Sequence, residues 1–200
     1  MIAQQLSRPN PDTFKYFVGK EKQQEIKKTQ LVVMGLSILT DQKSMLSKLH
    51  TFDWATLCSD QNLGINWQQN IRTIKTFSSL NKDVRFIIVC SEQSASLFTE
   101  FKNFIEHLER ETAQKIHLEQ AANTVDINSI ASCSRGIKKI LNNHAAKQVV
   151  IDITSATKQY SAACTLETTY REMVYLGYVS NDANYFIYNV LNEERGELMM

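Results

Sequence analysis

The sequence predicts an α/β fold, Rossmann-like, with a mainly parallel sheet, helices on both faces and a single domain. Three observations predict it. Short apolar runs that stop at turn residues recur along the chain, as buried parallel strands require. Amphipathic stretches at helical spacing lie between them. The 200 residues suffice for one such domain with a sizeable core and little left over.

Leu31-Val32-Val33-Met34, closing at Gly35, reads as the first strand, and a helix is expected over about Lys43–His50. Val84–Cys90 (VRFIIVC) is the next strand, closed by Ser91-Glu92-Gln93-Ser94. Ser94 is the expected N-cap of a helix that carries Leu97, Phe101, Phe104, Ile105 and Leu108 on one face. Ile116-His117-Leu118 reads as a short strand, and 126–142 as a helix with Ile127, Ile130, Ile137, Ile140 and Leu141 as its apolar side. Gln148–Ile153 (QVVIDI) is the strongest strand. A helix is expected from about Lys158 to Leu176 with Gly177 as its C′ residue, then a last strand over Tyr185–Val190. Such alternation implies right-handed crossovers. Between Thr51 and Leu80 the pattern is faint: Ile71, Ile74 and Phe77 suggest a helix, whereas Trp54 and Trp67 fit loops.

Residues 1–30 read differently. Arg8-Pro9-Asn10-Pro11-Asp12 is a breaker cluster, because proline fixes φ and biases its neighbour away from helix. Lys20–Lys28 (KEKQQEIKK) is polar and lacks apolar periodicity. Residues 1–30 are therefore expected to be a tether, with an effector domain or membrane segment on its N-terminal side, and 31–200 the folded domain.

Composition narrows the function classes. The formal net charge of +1 gives no field that recruits nucleic acid, so DNA binding is not expected and any anion site must be local. The four cysteines, Cys58, Cys90, Cys133 and Cys164, include no C-x-x-C pair. Cys90 and Cys164 stand in apolar surroundings and are expected to be buried thiols in a reducing cytoplasm. No apolar run approaches the roughly 18 residues of a membrane span, and the opening residues lack the apolar stretch of a signal peptide. A soluble, cytoplasmic protein is expected. His50, His107, His117 and His144 show no paired-ligand spacing, so no metal is expected. Arg110 and His117 have the R-x6-H spacing of HEPN-type ribonucleases, but the interval passes from helix into strand and reads as coincidence. The absence of G-x-G-x-x-G and of a P-loop argues against dinucleotide cofactors and nucleotide hydrolysis. Ser37 and Ser161 lack a nucleophile elbow. Tyr170, Tyr175 and Tyr178 read as packing, while Tyr160 is placed to reach a base.

In an open parallel sheet, ligands lie beyond the carboxyl ends of the strands. Two such ends are chemically unusual here. One is Gly35-Leu36-Ser37-Ile38-Leu39-Thr40; the other is Asp152-Ile153-Thr154-Ser155-Ala156-Thr157-Lys158. Small hydroxyl residues at a strand-to-helix turn leave backbone N–H groups open at a helix N-terminus, where the macrodipole favours an anion. Thr154, Ser155 and Thr157 add hydroxyls, Ala156 adds little bulk, and Lys158 adds a cation. The plainer explanation is a capped helix with a solvated lysine. A lysine in the first turn opposes the dipole, which sets that explanation level with a phosphate site.

The segment VVIDITSATKQYSAA resembles a motif of the CARF (CRISPR-associated Rossmann-fold) family, a strand-turn-helix of the form D-[IL]-T-G-G-T-K followed by small residues. Asp152, Ile153, Thr154, Thr157 and Lys158 match in register, with Ser161 and Ala162 in the small-residue stretch. Ser155-Ala156 stands where the family often has two glycines. VVMGLSILTDQKSML is similar to that family's first-strand loop, carrying over onto Gly35, Leu36, Ser37, Thr40 and Asp41, with Ile38 where a proline is frequent. The resemblance runs over residues 31–190.

It implies a homodimeric antiviral sensor that binds cyclic oligoadenylate, the cyclic tetra-adenylate taken first, across a dimer two-fold. The ligand-binding residues it implies are Gly35, Leu36, Ser37, Ile38, Thr40, Thr154, Ser155, Ala156, Thr157, Lys158 and Ser161, with no catalytic residue and no cofactor. The alternative within the same resemblance is a slow, metal-independent ring nuclease. There the ribose 2′-OH attacks its own phosphodiester while Ser37, Thr154 and Lys158 stabilise developing charge. A third reading is an interaction module whose hydroxyl loop binds nothing.

Overall fold

The computed structural model describes residues 16–17, 27–39, 42–49, 51–59, 63–112, 115–169, 171–179 and 185–188. The strands are β1 (Tyr16–Phe17), β2 (Leu31–Gly35), β3 (Arg85–Val89), β4 (His117–Gln120), β5 (Val149–Asp152), β6 (Val174–Val179) and β7 (Tyr185–Tyr188). The helices are α1 (Gln42–Leu49), α2 (Trp54–Ser59), α3 (Gln68–Leu80), α4 (Glu92–Ala95), α5 (Phe98–Thr112), α6 (Ile130–Asn143) and α7 (Lys158–Thr168).

The strands form one sheet in the order β1-β7-β6-β5-β2-β3-β4. Every pairing is parallel except β6 with β7. Counted from β2 as first strand and leaving out the two-residue β1, the order reads 6-5-4-1-2-3, that of a doubly wound sheet. Two cores lie on its opposite faces. Val32, Met34, Phe86, Ile88 and Val150 face Leu49, Leu57, Ile71, Ile74, Phe77, Phe101 and Leu108 of α1, α2, α3 and α5. Leu31, Val33, Ile87, Val149 and Ile151 face Cys133, Ile137, Leu141, Ala163 and Cys164 of α6 and α7. Burial on both faces explains why these strands read as unbroken apolar runs. Connections before β4 cover one face and those after it the other. The chain therefore changes sides between β2 and β5, which makes their carboxyl ends the switch point of the sheet.

Several expectations are corrected. The helix from Lys158 stops at Thr168, not Leu176, and Val174–Val179 is a strand with Gly177 inside it. Thr168 and Thr169 both turn their hydroxyls back to the Thr165 carbonyl, at 2.8 Å each, which competes with continued helix. Tyr175, Val174 and Val179 then favour the extended form. Ser94 is not the N-cap of the helix carrying Phe101, Phe104, Ile105 and Leu108, which starts at Phe98. It is N3 of the short α4, whose N-cap Ser91 accepts from Ser94 N at 3.1 Å while Ser94 Oγ accepts from Ser91 N at 2.9 Å. α6 begins at Ile130 behind the N-cap Ser129, because Asp126 folds onto the Asn128 amide as a turn. Trp54 lines no loop but opens α2, buried; Trp67 is also buried, standing in the turn at the N-cap of α3. Tyr175 lies buried in β6. Tyr16–Phe17, read in the sequence as part of the tether, pairs with β7, and Thr29 is fully buried.

Cys90 and Cys164 are buried free thiols, as expected. Arg110 lies in α5 and His117 opens β4, so the R-x6-H pair spans two unlike elements. Thr40, Asp41, His50, Tyr170 and the Pro9–Pro11 cluster lie outside the described residues. No helix among the described residues is long and apolar enough to cross a membrane.

Candidate ligand site at the switch point

The carboxyl ends of β2 and β5 are neighbours, Met34 pairing with Asp152. The two loops singled out in the sequence therefore leave the sheet side by side. They are also tied together: Ser37 Oγ donates to the Ser155 carbonyl at 3.2 Å, across 118 residues of chain.

A third element holds both. Asn70 of α3, 2% exposed, donates from Nδ2 to the Gly35 carbonyl at 2.8 Å, and its Oδ1 accepts from Ser155 Oγ at 3.2 Å. Trp67 Nε1 donates to the Ser37 carbonyl at 2.9 Å, and Asn66 Nδ2 to the Ile38 carbonyl at 2.8 Å. Each bond satisfies a loop carbonyl that no strand or helix would pair. The segment Asn66-Trp67-Gln68-Gln69-Asn70 was not read as part of the site. Two asparagines and a tryptophan at one helix start were its only signal. Replacing Asn70 with leucine keeps the volume and removes both bonds. That substitution is expected to cost about 1–3 kcal/mol in urea unfolding, since two part-buried polar groups lose their partner.

The β5 loop rests on a buried carboxylate. Asp152 is 4% exposed; its Oδ1 accepts from Thr154 N at 2.7 Å and its Oδ2 from the Thr73 hydroxyl. Burial raises its pKa above the ordinary 3.8, opposed by the hydrogen bonds from Thr154 and Thr73 and, least, by the nearby Tyr185 hydroxyl. Thr154 Oγ1 in turn accepts from Val179 N at 2.7 Å, locking the turn to β6. The turn itself closes with Ala156 N on the Ile153 carbonyl at 3.2 Å.

Thr157 is the N-cap of α7: its hydroxyl oxygen accepts from Tyr160 N at 3.3 Å and donates to the Ile127 carbonyl at 3.1 Å. The hydroxyls of Ser37, Ser155 and Thr157 thus shape the loops. What remains open is main chain. The amides of Lys158 and Gln159 donate to no described residue, as at any helix start. Lys158 is exposed and pairs with none of the described acidic groups. Ser161 lies one turn further along α7, partly exposed, and Ile38 is 50% exposed at the rim.

Two residues stand elsewhere than expected. Tyr160 does not face a ligand: it is 2% exposed, and its ring lies 3.8 Å from where a Cβ on Gly35 would stand. Its place at N3 of α7 turns the side chain under the sheet. Leu36 is 7% exposed and packs in the α3-side core, its amide held by the Val89 carbonyl at 3.0 Å.

The arrangement suits anion binding better than covalent chemistry. Burial pushes the Cys90 thiol up to about 11, so it carries no thiolate at neutral pH. Among the described residues no group of three or more histidine, cysteine, aspartate or glutamate side chains could hold a metal ion. No family model matches the chain, and no curated protein matches it.

Proposed function

We propose that this chain is a CARF-like sensor that binds cyclic oligoadenylate, with the cyclic tetra-adenylate as first candidate, at the paired carboxyl ends of β2 and β5. The observation that carries the reading is the set of open amides and the free Lys158 ammonium at the start of α7, set beside the β2 loop at the switch point. A phosphodiester fits that chemistry: backbone N–H groups and the helix dipole take the charge, and Lys158 adds a directional contact. A ring of repeated nucleotides lies naturally across a two-fold, so two chains share one ligand. On this reading the protein works in the cytoplasm as a homodimer and passes the signal to an effector, in antiviral defence.

Calorimetric titration with cyclic tetra-adenylate is expected to show saturable binding at one ring per two chains. Lys158→Ala is expected to weaken it by about 1.5–3 kcal/mol, roughly ten- to 150-fold, as for one charge-assisted hydrogen bond. Absence of binding by the cyclic tri-, tetra- and hexa-adenylates sinks the reading. Chromatography of the ligand after incubation separates a sensor, which returns the ring intact, from a ring nuclease, which returns linear product.

A further inference from the structure

A second cavity opens at the same edge of the sheet, beside the proposed phosphate loop. It measures about 520 Å³ and lies between the loops that follow β3 and β4. Its walls are Ser91, Glu92 and Gln93 on one side and Thr124 to Asn128, with Ser132, on the other. That volume is within the range of small-molecule sites. The wall is fixed to the switch point by the Thr157 hydroxyl on the Ile127 carbonyl at 3.1 Å.

The lining has one chemical bias. It holds two carboxylates, Glu92 and Asp126, two side-chain amides and several hydroxyls, but no lysine or arginine. Asp126 uses one oxygen on the Asn128 amide at 3.0 Å, leaving the other open. The side chains of Glu92, Gln93, Thr124 and Asn128 make no hydrogen bond to any described residue. A phosphate is repelled there. An uncharged group rich in N–H and O–H donors is favoured, since a carboxylate accepts and never donates. β3 is the second strand of the doubly wound order, and Glu92 follows its end by three residues. That is where such sheets offer an acidic side chain to the sugar of a bound nucleotide.

We infer that this cavity is a nucleoside subsite: it takes the base and ribose of a nucleotide whose phosphate lies on the α7 amides. The exocyclic amine of adenine and the ribose 2′-OH donate to Glu92 and Asp126, and the Asn128 and Gln93 amides pair with the ring edge. The inference rests on the phosphate reading of residues 154–158 for the ligand's other end. It does not require the ligand to be cyclic.

The test is an amide-resonance titration of the whole chain with adenosine 5′-monophosphate and, separately, inosine 5′-monophosphate. Inosine puts a carbonyl oxygen where adenine has its amine. With the adenosine compound, shifts are expected both at residues 91–93 and 124–128 and at 154–159. The inosine compound is expected to bind at least fivefold more weakly, and Glu92→Gln/Asp126→Asn to lose that preference. Shifts at 154–159 alone would overturn the subsite and leave the phosphate site standing. Shifts at 91–93 and 124–128 alone would support the subsite and remove the phosphate site. Equal binding of the two compounds, or no shift at either place, overturns the inference.

Discussion

Gly177→Ala is expected to destabilise the fold by about 3 kcal/mol, read as a lower urea midpoint at unchanged m. Gly177 lies inside β6, paired with Asp152 on one side and Ile187 on the other. A Cβ there would stand 2.8 and 2.9 Å from ring carbons Cζ and Cε1 of Tyr185, and closer still to its hydroxyl oxygen. The ring has nowhere to go. Tyr185 is fully buried and packs edge-on against Phe77, with centroids 5.4 Å apart. Displacing it also disturbs Asp152, because the Tyr185 hydroxyl is among the groups that steady that carboxylate. Ligand affinity should therefore fall together with stability. In a Tyr185→Phe background the closest atom is gone, and the cost of Gly177→Ala should shrink by about 1 kcal/mol. Gly35→Ala is the control: its Cβ would meet the Tyr160 ring at 3.8 Å, an ordinary contact, and stability should barely change. A Gly177→Ala protein as stable as the parent would show that the ring yields.

The parts of this fold legible in the sequence were those where one signal dominates. β2, β3 and β5 are apolar on both faces, so their composition alone marks them as buried parallel strands. The two loops at the switch point were legible because small and hydroxyl residues follow such strands directly. β6 was hidden because Gly177, directly after the apolar run that ends at Leu176, looks like the C′ residue of a helix. Only the long-range encounter with Tyr185 explains why a glycine stands mid-strand. α3 was half-hidden for a related reason. Its buried face includes Gln68, Asn70, Arg72, Thr73, Thr76 and Ser78, so its pattern is not apolar and a period of 3.6 is faint. Those polar residues are buried because they pair with backbone: Gln68 Nε2 and Arg72 Nε both donate to the Leu57 carbonyl, and Asn70 to that of Gly35. Pairings of that kind depend on partners distant in the chain, which no local window contains.

Asp152→Ala and Asp152→Asn are expected to part sharply. Alanine leaves the Thr154 amide and the Thr73 hydroxyl without an acceptor in a buried place. The expected cost is about 3–5 kcal/mol, with loss of the turn that presents the α7 amides. Asparagine keeps an acceptor oxygen of the same reach and removes the burden of a buried charge, so it should cost little. The pH dependence fixes the sign. Burial holds the Asp152 pKa above the unfolded value of 3.8, so between the two values the folded chain binds more protons than the unfolded one. The stability contributed by this group is fully present below pH 3.8 and is lost as pH rises through the folded value. The asparagine variant lacks that loss. Relative to the parent it should gain stability as pH rises from about 3.8, then level off above the folded pKa. Urea unfolding of both proteins across a pH series measures the difference directly. A difference that is flat with pH would mean that Asp152 titrates alike in the folded and unfolded chains, and a difference that falls would mean that its hydrogen bonds outweigh its burial.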